Sequence, residues 1–319
     1  MKVVLVGAGG WGYQHARVFS AHPEVEFCAI AGRNPERTQK RADEFKVKAY
    51  TDIDEMLDAE KPDLVSLCLP NQGHFEPTMK VLRRGYPLLV EKPLMFKLEE
   101  AEAVLEAAGD RFFAICFNHR YAKPVRLAKA ALDEGRLGDV IFVTWRFGGE
   151  GSSDHPHANL IETQCHGFDM LEHLGGPIRT ISASMTDKLG KGLTTMALSL
   201  EFESGAVGSL VGSYDTSYAY PDTQRIEVSG TAGRVVIDDT VRRYRFNAAG
   251  SELGETWEAG YFNDRDREFH RTFDAYIDAM LQAFKTGAPP PVHARAGLRA
   301  LKLAHAAIRS HEQGVRVEV

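Results

Sequence analysis

The chain has 319 residues, which at roughly 100–200 residues per domain suggests two domains. With 44% hydrophobic and 26% charged residues it has the composition of a globular protein with ample core. No apolar run approaches the roughly 18 residues of a membrane span, and a net charge of −6 without a basic block excludes nucleic acid and anionic membranes as partners.

The predicted elements begin with a strand at 3–6, so close to the initiator Met that no signal peptide is expected. Further short apolar runs follow at 25–31, 47–50, 64–69, 87–90 and 112–117. They are too short for helices and too continuously apolar for a half-exposed sheet, so they read as buried parallel strands. Helical stretches lie between them, with start signals at Asn34-Pro35 and Thr51-Asp52. This alternation implies a doubly wound α/β sheet with right-handed crossovers. Cys28, Cys68 and Cys116 sit inside such runs, and no CxxC pair occurs. A reduced, cytoplasmic protein with no metal is therefore expected.

Near residue 120 the texture changes. A helix at 124–134 leads into a strand at 140–147, and a helix at 160–174 stops at Gly175-Gly176-Pro177. Strand-like runs then follow at 178–185, 193–202, 206–214, 225–229, 234–238 and 242–246, joined by hairpin-type turns at 203–205 and 230–233. Helices at 264–284 and 294–311 close the chain. The expected second domain is α+β, with an open-faced, largely antiparallel sheet. The predicted division is 1–119 and 120–319.

Gly7-Ala8-Gly9-Gly10-Trp11-Gly12 fits G-x-G-x-x-G, follows a strand and opens a helix at 11–22. In that context the glycines allow a tight turn and a close approach of the backbone to a pyrophosphate, whose charge sits at the helix N-terminus. The acid that usually binds an NAD ribose is absent at the end of the second strand, which reads Ala31-Gly32-Arg33-Asn34. Arg33 and Arg37 suit a 2′-phosphate, so the expected cofactor is NADP or NAD, with NADP favoured. The alternative for both arginines is a solvated helix start.

Glu91-Lys92-Pro93 ends the fifth strand, at the edge where doubly wound sheets bind ligands. Desolvation there suits Lys92 for proton transfer. On spacing alone, Lys92 is equally an exposed lysine in a strand–helix loop.

Glu162, His166, Asp169 and His173 are spaced 4, 3 and 4 apart, which at about 100° per residue places them within an arc of roughly 60° on one helix face. Three readings compete: a solvated stripe, a divalent-metal site, and an acid–base constellation in which a carboxylate supports a histidine. The loop 152–159, with His155 and His157, runs into this helix. Arg146 ends a strand of the second domain, and Asn118, Arg120 and Tyr121 stand at the domain junction. All are candidate substrate contacts.

The chain resembles the glucose–fructose oxidoreductase / inositol dehydrogenase / MocA superfamily over essentially its whole length. The resemblance is carried by VGAGGWG at 6–12, PNQGH at 70–74, EKPL at 91–94, NHRY at 118–121 followed by Pro124, EGRLGD at 134–139, HGFD at 166–169 and the stretch 295–310. It implies a Rossmann domain, then an open-faced sheet domain that usually mediates oligomerisation, so a homodimer or homotetramer is expected. It implies Pro70, Asn71, His74, Glu91 and Lys92 beside the cofactor, with Gly7, Gly9, Gly10, Trp11 and Gly12. It also implies a proton-transferring EKP lysine partnered by a D-x-x-x-H helix, matched here by Glu162 and His166 with Glu in the usual Asp position. The implied activity is NAD(P)-dependent interconversion of a secondary alcohol and ketone on a sugar, cyclitol or sugar-derived acid. The two alternatives are a dinucleotide-dependent sensor without turnover and a glycoside hydrolase that uses transient oxidation.

Overall fold

A computed structural model describes residues 1–151, 154–258, 260 and 268–319. The chain forms two compact units, Met1–Phe117 with Phe273–Arg299, and Asn118–Thr272 with Ala300–Val319.

In the first unit six strands alternate with five helices. The strands are β1 (Lys2–Val6), β2 (Glu26–Ala31), β3 (Lys48–Tyr50), β4 (Leu64–Leu67), β5 (Leu88–Val90) and β6 (Phe113–Ile115). The helices are α1 (Gly10–Ala21), α2 (Pro35–Phe45), α3 (Ile53–Glu60), α4 (Phe75–Arg83) and α5 (Leu98–Ala108). The sheet order is β3-β2-β1-β4-β5-β6, all parallel. Val3, Val4 and Leu5 are 0% exposed, as a strand covered on both faces requires. The chain order reverses direction between β1 and β4, which creates a crevice beyond their C-terminal ends.

The returning segment Phe273–Arg299 carries most of α8 (Arg271–Thr286) and covers the β6 edge. Ile115 N–H donates to Val292 O at 3.0 Å, Ala294 N–H donates to Phe113 O at 2.9 Å, and the buried Tyr276 hydroxyl donates to Ile115 O at 2.6 Å. The N–H of Ile115 and the carbonyls of Phe113 and Ile115 at the β6 edge are thereby paired. The helix expected at 264–284 has its first four positions outside the described residues.

Glu60 ties β1, β3 and α3 together. It lies 3.2 Å from Lys2 Nζ and 2.8 Å from Lys48 Nζ, and accepts from the Tyr50 hydroxyl at 2.6 Å. Burial alone would push its carboxyl up, yet the bonds from Lys48, Tyr50 and Lys2 outweigh burial and hold it down at about 2, from 4.5. Such a group adds stability above its unfolded value, and that stability is lost as pH falls through its folded value. We therefore expect E60Q to lower the unfolding free energy at neutral pH by about 1–3 kcal/mol. The deficit shrinks from about pH 4.5 towards 2. Denaturant titrations at neutral and acidic pH check this, and an equal deficit at both would sink it.

The second unit holds a nine-stranded sheet. Its strands are β7 (Val140–Gly148), β8 (Ile178–Thr186), β9 (Thr195–Phe202), β10 (Val207–Ser213), β11 (Gln224–Gly230), β12 (Gly233–Asp238), β13 (Arg243–Ala248), β14 (Gly254–Glu258) and β15 (Val317–Glu318). The order is β14-β13-β12-β11-β7-β10-β9-β8-β15. All pairs are antiparallel except β7 with β10. Helix α6 (Lys123–Asp133) packs on β12 and β13, and α7 (Gln164–Gly175) packs on β7. The last helix, α9 (Arg295–Gln313), precedes β15. Ile141, Val207 and Val211 are exposed.

Candidate functional site

The glycine loop sits at the end of β1. Gly7 has φ +126°, and a Cβ there would lie 1.9 Å from the Cys68 carbonyl oxygen. A Cβ at Gly12 would lie 2.1 Å from the Gly7 carbonyl oxygen. At Gly9 and Gly10, by contrast, a Cβ would meet nothing within 4 Å. Gly9 is the N-cap of α1, with no side-chain cap and no acid in the first turn, which leaves leading amides to receive an anion. These residues fit a dinucleotide pyrophosphate. Trp11 packs against Phe273, with ring centroids 5.6 Å apart.

Beyond β1, β2 and β4 opens a cleft of about 990 Å³, lined by Val6, Gly32, Arg33, Asp52, Pro70 and Lys80 among others. Lys80 and Arg84 are both paired with Asp54. No carboxylate among the described residues pairs with Arg33. A Cβ at Gly32 would lie 2.5 Å from Thr38 Oγ1, so an acid there is sterically opposed. Arg37 does not line the cleft; its backbone N–H donates to Asn34 Oδ1 at 2.8 Å, capping α2.

Asn71 begins a short turn after Pro70. His74 is buried, with Nε2 donating to Leu69 O at 3.0 Å. Burial lowers its proton affinity, so a neutral His74 fastens the turn after β4.

Lys92 is half-buried at the end of β5. Its backbone N–H donates to Glu91 Oε2 at 3.1 Å, and Glu91 Oε1 lies 3.0 Å from His15 Nε2. His15 Nδ1 lies 2.8 Å from Ser66 Oγ. His15, Cys68 and Glu91 bring metal-ligating atoms within 4.8 Å of one another. However, His15 spends both ring nitrogens on Ser66 and Glu91, and burial keeps the Cys68 thiol well above its ordinary value.

In the second unit the polar stripe is not a solvated face. His166 and Asp169 are buried, as are the apolar residues opposite, Phe168, Leu171 and Leu174. His166 stacks on His119 with centroids 3.9 Å apart and planes 6° from parallel. Arg120 holds Asp169 in a fork, Nε to Oδ2 at 2.9 Å and Nη2 to Oδ1 at 2.6 Å. Burial pushes Asp169 up despite that pairing. His173 is pushed down to about 4, by burial and then by the Arg120 and Lys129 charges.

The segment expected as a helix at 160–174 is helical throughout, but its first turn, Asn159–Thr163, is π-helical and α7 begins at Gln164. Glu162 lies in that π-helical turn, half-buried, one turn before the buried His166.

Arg146 is also set apart. Its neighbour Trp145 faces α7, donating from Nε1 to Gln164 Oε1 at 2.8 Å. Alternation along the strand turns Arg146 to the other face, where it bonds the Asp222 carbonyl. Asn118 is buried, donating to Thr272 Oγ1 at 2.7 Å, and Tyr121 is half-buried. His157 N–H donates to His155 Nδ1 at 3.2 Å, and both imidazoles are lowered, chiefly by burial, with His305 of α9 contributing. Ser152 and Ser153 of that loop lie outside the described residues.

Sequence reasoning missed His15, His119 and Tyr214, whose hydroxyl is 2.6 Å from Thr163 Oγ1. The available signal was a polar residue on an otherwise apolar inner face, as at His15 among Gly12, Ala16 and Phe19 of α1.

A glycine loop at the switch point of a 3-2-1-4-5-6 sheet defines a dinucleotide-binding α/β protein. Residues 1–113 match the profile of the Gfo/Idh/MocA oxidoreductase family, NAD-binding Rossmann fold, and residues 129–319 match its C-terminal alpha/beta domain. The chain belongs to the Gfo/Idh/MocA oxidoreductase family. Myo-inositol 2-dehydrogenase of Thermotoga maritima is 26% identical over 98% of this chain and 97% of its own. D-xylose 1-dehydrogenase (NADP(+)) 2 of Haloferax volcanii is 28% identical, with 100% of both chains covered. Levoglucosan dehydrogenase in complex with NADH and levoglucosan shares the fold, with a TM-score of 0.89 at 20% identity over 100% of this chain and 99% of that one. Among the described residues, no helix is long and apolar enough to cross a membrane.

Proposed function

We propose that this enzyme interconverts a secondary alcohol and ketone on a sugar, cyclitol or sugar-derived acid, using NADP in preference to NAD. The observation that carries the reading is Lys92, placed at the C-terminal end of the parallel sheet with its backbone amide tied to the buried Glu91. The substrates named for the relatives above, an inositol and a pentose, support the substrate class. A bound nicotinamide supplies hydride acceptance and donation. Lys92 and His166 hold and move the proton of the substrate hydroxyl, and Glu162 supports His166. The His119 stack and the Arg120–Asp169 fork fix the helix that carries His166. The chain assembles as a homodimer or homotetramer.

A cofactor-reduction screen over inositols, aldoses and sugar acids tests the activity. Absence of turnover with every member, despite dinucleotide binding, would favour a sensor. The cofactor preference rests on Arg33 in the cleft, without a carboxylate partner among the described residues, and on the crowding at Gly32. Fluorescence titration is expected to give NADPH a Kd about tenfold below that of NADH, or about 1.4 kcal/mol. Tighter binding of NADH overturns the preference.

A further inference from the structure

We propose that His15 is a positioning residue for Lys92, acting through the Ser66–His15–Glu91 chain. This rests on the reading of Lys92 as a proton-transfer group. His15 is 0% exposed on the inner face of α1. Its two ring nitrogens reach Ser66 of β4 at 2.8 Å and Glu91, just past β5, at 3.0 Å. Because a carboxylate only accepts, Nε2 carries the proton in the bond to Glu91, while the Ser66 hydroxyl suits either state of Nδ1. Phe273 meets the ring at 5.6 Å and 62°, and Phe19 at 6.1 Å and 78°, so the imidazole is clamped from the sides as well as at its edges.

Glu91 divides its two oxygens between His15 and the Lys92 amide. Burial pushes Glu91 up, but the bond and charge of His15, and then Lys92, hold it below the ordinary value. Burial also holds the nearby Cys68 and Cys116 thiols well above theirs. The chain therefore places one ionised carboxylate at the backbone of Lys92. It is anchored to the helix whose N-terminus forms the glycine loop, so Lys92 is tied to the element that receives the pyrophosphate.

A buried polar pair is weak evidence of a stabilising role, since apolar replacements of similar volume are often equally stable. That separates positioning from structure. The variants H15F, H15Q and H15F/E91L are compared with wild type, and H15F is also made in the K92M background. Turnover is measured on whichever inositol, aldose or sugar acid the wild type oxidises fastest, together with NADPH affinity and Tm. In H15F, kcat is expected to fall about 30-fold, as misplacement of a reacting group would cause, with the NADPH Kd changed by less than about threefold. H15Q, which keeps an N–H aimed at Glu91, recovers most of the rate. H15F/E91L recovers Tm but not kcat. In K92M, H15F causes no further loss, because both changes act on one group.

The proposal is overturned if H15F stays within about twofold of wild type while K92M collapses, which leaves the reading of Lys92 standing. It is also overturned if H15F costs the same in both backgrounds, which is the mark of a general structural effect. Near-wild-type turnover in K92M overturns the reading of Lys92 and this proposal together.

Discussion

Replacing Lys92 by methionine is expected to lower kcat by about 10²–10⁴, the range a positioned proton-transfer group contributes. Methionine keeps an unbranched, flexible stem of similar length but removes the ammonium. The backbone bond from residue 92 to Glu91 Oε2, at 3.1 Å, uses the amide N–H and survives the substitution. The glycine loop and the cleft beyond β1, β2 and β4 are formed by other residues. The NADPH Kd should therefore change by less than about threefold, under ~1 kcal/mol. Steady-state kinetics beside fluorescence titration separate the two effects. If K92M turned over near the wild-type rate, the lysine would not carry the proton and the proposed mechanism would be wrong.

Replacing Gly7 by alanine should be the most damaging change in the cofactor loop. At φ +126° an L side chain is strained whatever the space, and here its Cβ would lie 1.9 Å from the Cys68 carbonyl oxygen. Relaxation is opposed on both sides, since Gly7 N–H donates to Ala31 O at 2.8 Å and Cys68 N–H donates to Val6 O at 2.8 Å. The end of β1 must separate from β4, or the loop must be rebuilt. We expect a loss of about 3–5 kcal/mol in unfolding free energy, at the upper end for single substitutions. Dinucleotide affinity should fall by at least about 100-fold, equivalent to ~2.7 kcal/mol. An unchanged denaturation midpoint with affinity intact would show that this close approach does not exist.

How far the sequence reached depended on where each residue's partners lie. The strands of the parallel sheet were legible because burial on both faces leaves a continuous apolar run, as in Val3–Val6, readable within a few residues. The glycine loop was legible because strand, turn and helix start are contiguous. β14 (GETWE) was not, since it is largely exposed and among the described residues pairs with β13 alone, so it carries no apolar alternation. The π-helical bonding that opens the helix expected at 160–174 was not legible for a related reason. Hydrophobic periodicity assumes i→i+4 bonding, and a π-helical turn at Asn159–Thr163 changes that bonding without an evident change of residue type.

By itself, then, the sequence determined the order of strands and helices as far as β13, the dinucleotide loop at Gly7–Gly12 and the lysine that ends β5. These follow from local pattern and local backbone geometry. Only the tertiary structure decided that His15 grips Ser66 and Glu91, which lie 51 and 76 positions away. The same holds for His119 lying flat on His166, for Arg120 closing on Asp169, and for Phe273–Arg299 returning to cover β6. Each depends on contacts between residues far apart in the chain, and a histidine or a carboxylate takes its role from the partner that burial gives it.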